Sequence, residues 1–171
     1  MCWLIFAGVS GFRGDVSAVF EEHGLVAHPA GNPVCGAMDA SATKLAISDG
    51  HCACALYLQP GHHELPDEEK LREKYRRKGW SPNKIASAVE ARLVSEAMRL
   101  KKLADANPLP AVVTRLVENS ARVSLLAHDF KGSFDKPFEI VGRENLSPAA
   151  FVARGGRFAA DTLITMFGYV R

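Results

Sequence analysis

The chain has 171 residues, of which 47% are hydrophobic and 23% are charged, and its formal net charge is +2. This length fits one domain, and the composition is typical of a globular protein, which excludes a disordered chain, a collagen-like chain and a coiled-coil rod. The charge is too close to balance to indicate a polyanionic partner for the whole chain, and no apolar run approaches the length of a membrane span. We expect no membrane partner.

The first region, residues 1–60, holds all four cysteines and few charges. Residues 2–9 are apolar on both faces and predict a central strand. Asp15 predicts the N-cap of a short helix over residues 16–23, and the breakers in residues 27–33 predict a loop.

A β-hairpin is predicted where the first region continues. Thr43–Ser48 and residues 51–58 alternate like strands and are joined by Asp49-Gly50, a pair typical of two-residue hairpin turns. The register of this hairpin places Cys52 and Cys54 on an apolar face. We therefore expect both thiols to be buried, reduced and free of metal.

Residues 61–107 predict a hairpin of two helices. Pro66 and the acidic residues 67–69 suit a helix start, and Gly79 suits the residue after the helix end. Ser81 and Pro82 form an N-cap and N1 pair, so a second helix is predicted over Pro82–Asp105.

Residues 108–171 complete the predicted fold. Their pattern predicts a helix over 111–119, strands over 122–130, 138–143 and 162–170, and a short helix capped by Ser147. We predict a single α+β domain spanning residues 1–171, with a mixed sheet of about six strands and a protruding two-helix hairpin.

The cysteines suggest two kinds of chemistry. Cys2, Cys35, Cys52 and Cys54 are sufficient in number for a tetrahedral zinc site, although their C-x-C spacing differs from the usual C-x₂₋₄-C. A thiol enzyme with Cys2 or Cys52 as nucleophile is the other alternative. Four cysteines are too few for a disulfide scaffold, and no basic residue precedes the apolar start. We expect a cytoplasmic protein with reduced cysteines.

Two resemblances involve the start of the chain. Met1-Cys2 resembles the start of N-terminal nucleophile hydrolases, which implies a terminal cysteine activated by its own amine. The glutamine-amidotransferase members of that group begin Met-Cys-Gly, and Trp3 stands where they have glycine. The Met-Cys start, a C-x-C near residue 50 and the downstream basic helix also resemble small bacterial proteins of unassigned function. That second resemblance implies no activity, cofactor or site.

Three further patterns resemble functional sites in part. His62-His63-Glu64 offers nitrogen and carboxylate ligands for a metal but lacks the helical spacing of a zincin. His128-Asp129, with Asp135 beyond it, suggests an acid–base pair. Residues 8–11 follow a strand but lack the lysine of a P-loop and the third glycine of a dinucleotide-binding loop. The sequence therefore predicts no cofactor.

The helical hairpin carries the clearest electrostatic signal. Between Lys70 and Lys102, eleven basic residues stand against three acidic ones, a local excess of +8. The run Gly79–Ala86 resembles the start of a helix-turn-helix segment, although the following sequence continues as helix. The basic side chains expected to contact nucleic-acid phosphates are Arg72, Arg76, Arg77, Lys84, Arg99, Lys101 and Lys102.

These patterns predict a binding or regulatory protein without enzymatic activity. It would act through the basic hairpin or through the thiol-bearing face of the sheet. Nucleic acid or another protein is the expected partner.

Overall fold

A computed structural model describes residues 2–31, 33–51, 53–54, 56–57, 65–130 and 139–168. The chain divides into two compact units. The sheet unit comprises residues 1–60 and 107–171, and the helical unit comprises residues 61–106.

The sheet unit is built on a six-stranded mixed sheet with the order β2-β3-β1-β4-β6-β5. Neighbouring strands are antiparallel except β5 and β6, which are parallel. This confirms the predicted α+β class and the mixed sheet. The strands are β1 Cys2–Ser10, β2 Val26–Pro29, β3 Thr43–Ser48, β4 Arg122–Phe130, β5 Gly142–Asn145 and β6 Thr162–Phe167.

Five α-helices lie within the described residues. They are α1 Val16–Glu21, α2 Glu68–Arg76, α3 Pro82–Asp105, α4 Leu109–Glu118 and α5 Pro148–Ala153. Side-chain oxygens of Asp15, Asp67 and Ser147 accept the N-terminal amide hydrogen bonds of α1, α2 and α5, which satisfies donors that have no partner inside the helix. Among these helices, none is both long enough and apolar enough to cross a membrane.

The two faces of the sheet bury different apolar clusters, because successive strand residues point to opposite sides. The larger cluster joins Ile5, Leu125 and Ile164 to side chains from α1, α4 and α5. The smaller cluster contains Phe6, Leu126, Leu163, Cys35 and Met38. Met38 lies so near β1 that a Cβ at Gly8 would fall 2.9 Å from its sulfur. Glycine at position 8 therefore permits this close approach.

The predicted hairpin of residues 43–58 is wrong. Strand β3 pairs on one side with β1 and on the other with β2, so neither of its edges is open to a following strand. Ala53 instead begins a turn, in which its carbonyl accepts hydrogen bonds from the amides of Leu56 and Tyr57. Cys54 therefore does not extend the apolar face that carries Leu45 and Ile47, and Cys52 lies outside the described residues.

Other strand boundaries also differ from the predictions. The predicted loop over residues 27–33 contains most of β2, an edge strand ending at Pro29, where proline is tolerated because one side of the strand needs no amide donor. Strand β5 begins at Gly142, later than the predicted 138–143. Strand β6 begins at Thr162 as predicted and ends at Phe167, while residues 169–170 lie outside the described ranges.

The helical unit agrees closely with the local sequence signals. Helix α3 has the predicted bounds, and α2 begins after Asp67, two residues later than predicted. Gly79 separates the two helices with a φ of +72°, in the left-handed region that glycine adopts readily.

Candidate nucleic-acid interface

The polar surface of α2 follows from the order of its charges. Its first turn holds Glu68 and Glu69, and its last turn holds Lys74 and Arg76. Acidic residues at the N-terminus and basic residues at the C-terminus both interact favourably with the helix dipole. The sequence therefore stabilises the helix and also places its cations toward the joint with α3.

Each predicted arginine on α2 or at its C-cap is bonded to a carboxylate of that helix. Both Nε and Nη2 of Arg72 donate to Glu68, at 2.9 and 2.7 Å. Arg76 donates to Glu69 at 2.8 Å, and Arg77 donates to Glu73. Exposed pairs of this kind contribute little stability, but they place an anion beside each guanidinium. These arginines are therefore poorer phosphate ligands than their number in the sequence suggests.

A second set of ion pairs lies on α3. Glu96 accepts a hydrogen bond from Nε of Arg99 and lies in an ion pair with Arg92, each at 2.6 Å. The hydrogen bond from Arg99, together with the charges of the two arginines, lowers the pKa of Glu96. The predicted contact residue Arg99 is thus also held by an internal carboxylate.

Aromatic rings order the joint between the two helices. Tyr75 and Trp80 stack with centroids 4.7 Å apart and planes within 3°. The ammonium of Lys84 lies 4.4 Å from the centroid of the Trp80 ring, within the range of a cation–π interaction. The structure thus gives the predicted contact residue Lys84 an internal partner.

Two lysines of α2 and one in the turn that follows it form a row that the sequence did not single out. Lys70, Lys74 and Lys78 are exposed and four residues apart. This spacing places Lys70 and Lys74 on one face of α2, and Lys78 follows in the turn after the helix. Lys70 lies 4.0 Å from Asp67. Within the described ranges, no ion pair links Lys74 or Lys78 to a carboxylate. We call Lys70, Lys74 and Lys78 the lysine row.

The lysine row was readable from the sequence. The residues four positions before Arg72 and Arg77 are Glu68 and Glu73, whereas the residue four positions before Lys78 is another lysine. Helical i,i+4 neighbours of opposite charge pair with each other. Of the predicted contacts, Lys101 and Lys102 are exposed, and no ion pair to a carboxylate is found for them in the described part of the chain.

The described cysteines do not form a shared site. Cys35 is buried in the smaller cluster, and this burial raises the pKa of its thiol. Cys54 is half-buried, and its Sγ accepts a hydrogen bond from the amide of Trp3 at 3.4 Å. Within the described residues, no three His, Cys, Asp or Glu side chains lie together as metal ligands. Cys52 and the segment His62-His63-Glu64 lie outside those residues.

His128 pairs with a residue far from it in the sequence. Its Nδ1 lies 2.7 Å from Oδ1 of Asp161, and since a carboxylate only accepts, Nδ1 carries the proton. Asp161 has a φ of +55°, and its backbone bonds to Ala127, Val141 and Gly142. Asp135, which follows the predicted pair His128-Asp129 in the sequence, lies outside the described ranges. The observed pair joins β4 to the residue that precedes β6.

Comparisons of this chain with protein-family models, with curated proteins and with solved structures find no match. This is consistent with the resemblance to proteins of unassigned function.

Proposed function

We propose that this protein is a non-enzymatic binding protein that contacts the phosphate backbone of nucleic acid through the lysine row. The observation that carries the proposal is the row of exposed lysines formed by Lys70 and Lys74 on one face of α2 and by Lys78 in the turn after it. Phosphates are bound by cations with little dependence on base sequence. We therefore propose a contact that positions nucleic acid without reading its bases.

The length of the row suits a polyanion. Eight residues of α-helix rise about 12 Å, and double-stranded DNA presents about seven phosphate charges over that distance. Lysine binds phosphate as a point charge on a flexible stem. The row can therefore follow a phosphate backbone without a fixed register.

The distribution of charge supports the same unit. Residues 61–106 contain eleven basic and eight acidic residues, a net charge of +3, and the remaining 125 residues contain ten basic and eleven acidic ones, a net charge of −1. The positive excess of the chain therefore lies in the helical unit. This asymmetry favours approach of a polyanion to that unit.

We further propose that the protein acts in a bacterial cytoplasm with its cysteines reduced. The sparse cysteines support this environment, and so does the burial of Cys35 in an apolar cluster, because a buried thiol with a raised pKa is a weak nucleophile. Site-selective alkylation of Cys2 or Cys52, with loss of a measurable turnover, would instead support a thiol enzyme.

The test is the salt dependence of binding to labelled duplex and single-stranded DNA. A variant with Lys70→Gln, Lys74→Gln and Lys78→Gln removes three cations from the row. A control with Arg13→Gln, Arg115→Gln and Arg143→Gln removes three exposed cations from the sheet unit, so the two variants have equal net charge.

We expect the wild type and the control to bind duplex DNA at about 50 mM salt and to lose affinity toward about 200 mM. The lysine-row variant should bind at least about tenfold more weakly at low salt. Its slope of log affinity against log salt should be smaller by about 0.9 per lost contact, or about 2.7 for three. Absence of binding at low salt, or equal weakening of both variants, would contradict the proposal.

A further inference from the structure

Helix α3 has an exposed apolar face. Val94 is 48% exposed and Met98 is 68% exposed, and Ala91 beside them is also exposed. Ile85 and Val89 are buried in contrast. At 100° per residue, those two positions project away from the direction of Val94 and Met98. The helix therefore has one buried apolar face and a second one in contact with solvent.

The exposed face has the spacing of a helix–helix seam. Ala91, Val94 and Met98 are separated by three and then four residues, and Ser87, Lys101 and Asp105 continue the alternation on either side. Apolar residues at alternating three- and four-residue steps pack against a matching helix. This run of residues 87–105 is here called the α3 seam, and it measures about 27 Å.

We propose that the α3 seam is a dimer interface with a second copy of this chain, in which the two α3 helices run antiparallel. The two-fold axis passes between Val94 and Met98, so that Val94 of each copy contacts Met98 of the other. One surface patch then serves both subunits, as a two-fold interface requires.

Charge complementarity argues for this occupant and this direction. Glu90 lies six residues before the midpoint at position 96, and Lys101 lies five residues after it. An antiparallel pairing therefore brings Glu90 of one copy beside Lys101 of the other, twice by symmetry. Both side chains are exposed, and within the described ranges no ion pair occupies either one. A parallel pairing would instead place Glu90 beside Glu90 and Lys101 beside Lys101, so that like charges would meet.

The predicted dimer is weak. A seam with three apolar positions forms an interface at the small end of the range for specific association. We expect a dissociation constant on the order of 10 μM. The proposal goes beyond nucleic-acid binding, because the lysine row lies on α2 and the turn after it and takes no part in the seam.

The experiment is sedimentation equilibrium of the full chain between about 1 and about 200 μM. The wild type should shift from monomer to dimer over this range. Met98→Glu places a carboxylate in the seam and should raise the dissociation constant at least about tenfold. Val141→Glu is the matched control, since Val141 is 81% exposed in the sheet unit, and it should dimerise like the wild type.

A charge exchange tests the direction of pairing. Lys101→Glu should weaken the dimer, because it places two carboxylates together at each end, and adding Glu90→Lys should restore it. A monomer at every concentration would overturn the proposal. So would a dimer that Met98→Glu leaves intact, or a charge exchange that fails to restore dimerisation.

Discussion

Tyr57 combines a closely packed aromatic ring with a buried hydroxyl group. Its side chain is 2% exposed, and its ring lies 4.2 Å from that of Trp3 and 5.6 Å from that of Phe158. Within the described ranges its hydroxyl has no hydrogen-bond partner. The aromatic contacts stabilise the ring, whereas the buried hydroxyl carries a desolvation cost.

Tyr57→Phe tests this account through the pH dependence of stability. Burial, and secondarily the charge of Asp161, raise the pKa of Tyr57 from 10.0 to about 12. A group whose pKa is higher in the folded state contributes stability below the unfolded pKa and loses it as pH rises through the folded one. The wild type should therefore lose stability relative to the variant between pH 10 and about 12.

Chemical denaturation at several pH values measures the effect. At pH 7 the variant should be as stable as the wild type or more stable by up to about 1 kcal/mol, because it removes an unpaired buried hydroxyl. A clear loss of stability at pH 7 would show that the hydroxyl has a partner. If the stabilities of the wild type and the variant changed in parallel above pH 10, the pKa of Tyr57 would not be raised in the folded state.

At the scale of elements, the joint between α2 and α3 depends on one glycine. The amide of Gly79 donates a hydrogen bond to the carbonyl of Arg76, and the amide of Trp80 donates one to the carbonyl of Tyr75. Gly79 has a φ of +72°, and a Cβ built on it meets nothing within 4 Å. The requirement for glycine is therefore conformational and not steric.

Gly79→Ala should lower the unfolding free energy by about 1–2 kcal/mol, the cost of a left-handed conformation for an L-residue with a side chain. Gly36→Ala is the control, since Gly36 has no positive φ and also has open space around it, and its effect should be smaller. Denaturant unfolding followed by circular dichroism compares them. Equal losses in the two variants would contradict this account of the joint.

The elements with local signals were predictable from the sequence. Helix α3 has the predicted bounds because Ser81-Pro82 begins it and Asn107-Pro108 follows it. The prediction of the β-hairpin was wrong because Asp49-Gly50 indicates a turn but does not determine which strand pairs with the strand before it. Strand β3 is flanked by β1 and β2 instead, and such pairings depend on contacts distant in the sequence.

The candidate interface was predictable in part. The sequence indicated that the candidate interface lies on the basic hairpin, but it was read as if every arginine were available to contact phosphate. Carboxylates one helical turn away pair with Arg72 and Arg77, and the same spacing leaves Lys74 between two lysines. The bond between His128 and Asp161 joins residues 33 positions apart, and no periodic pattern links them.

At the scale of the whole molecule, the two units differ in chemistry. The sheet unit buries apolar clusters on both faces of its sheet and holds the described cysteines. The helical unit carries the positive excess, the lysine row and the α3 seam. A chain with a net charge of +2 can therefore present a basic surface, because its charges are distributed unequally between the units.

Nuclear magnetic resonance can locate the residues of the helical unit that contact nucleic acid. Amide signals of the ¹⁵N-labelled full chain are followed while a short DNA duplex is added at about 50 mM salt. If the lysine row is the contact, the shifts will be concentrated in residues 70–78 and will disappear toward about 200 mM salt. Shifts confined to the sheet unit, or no shifts at low salt, would contradict it.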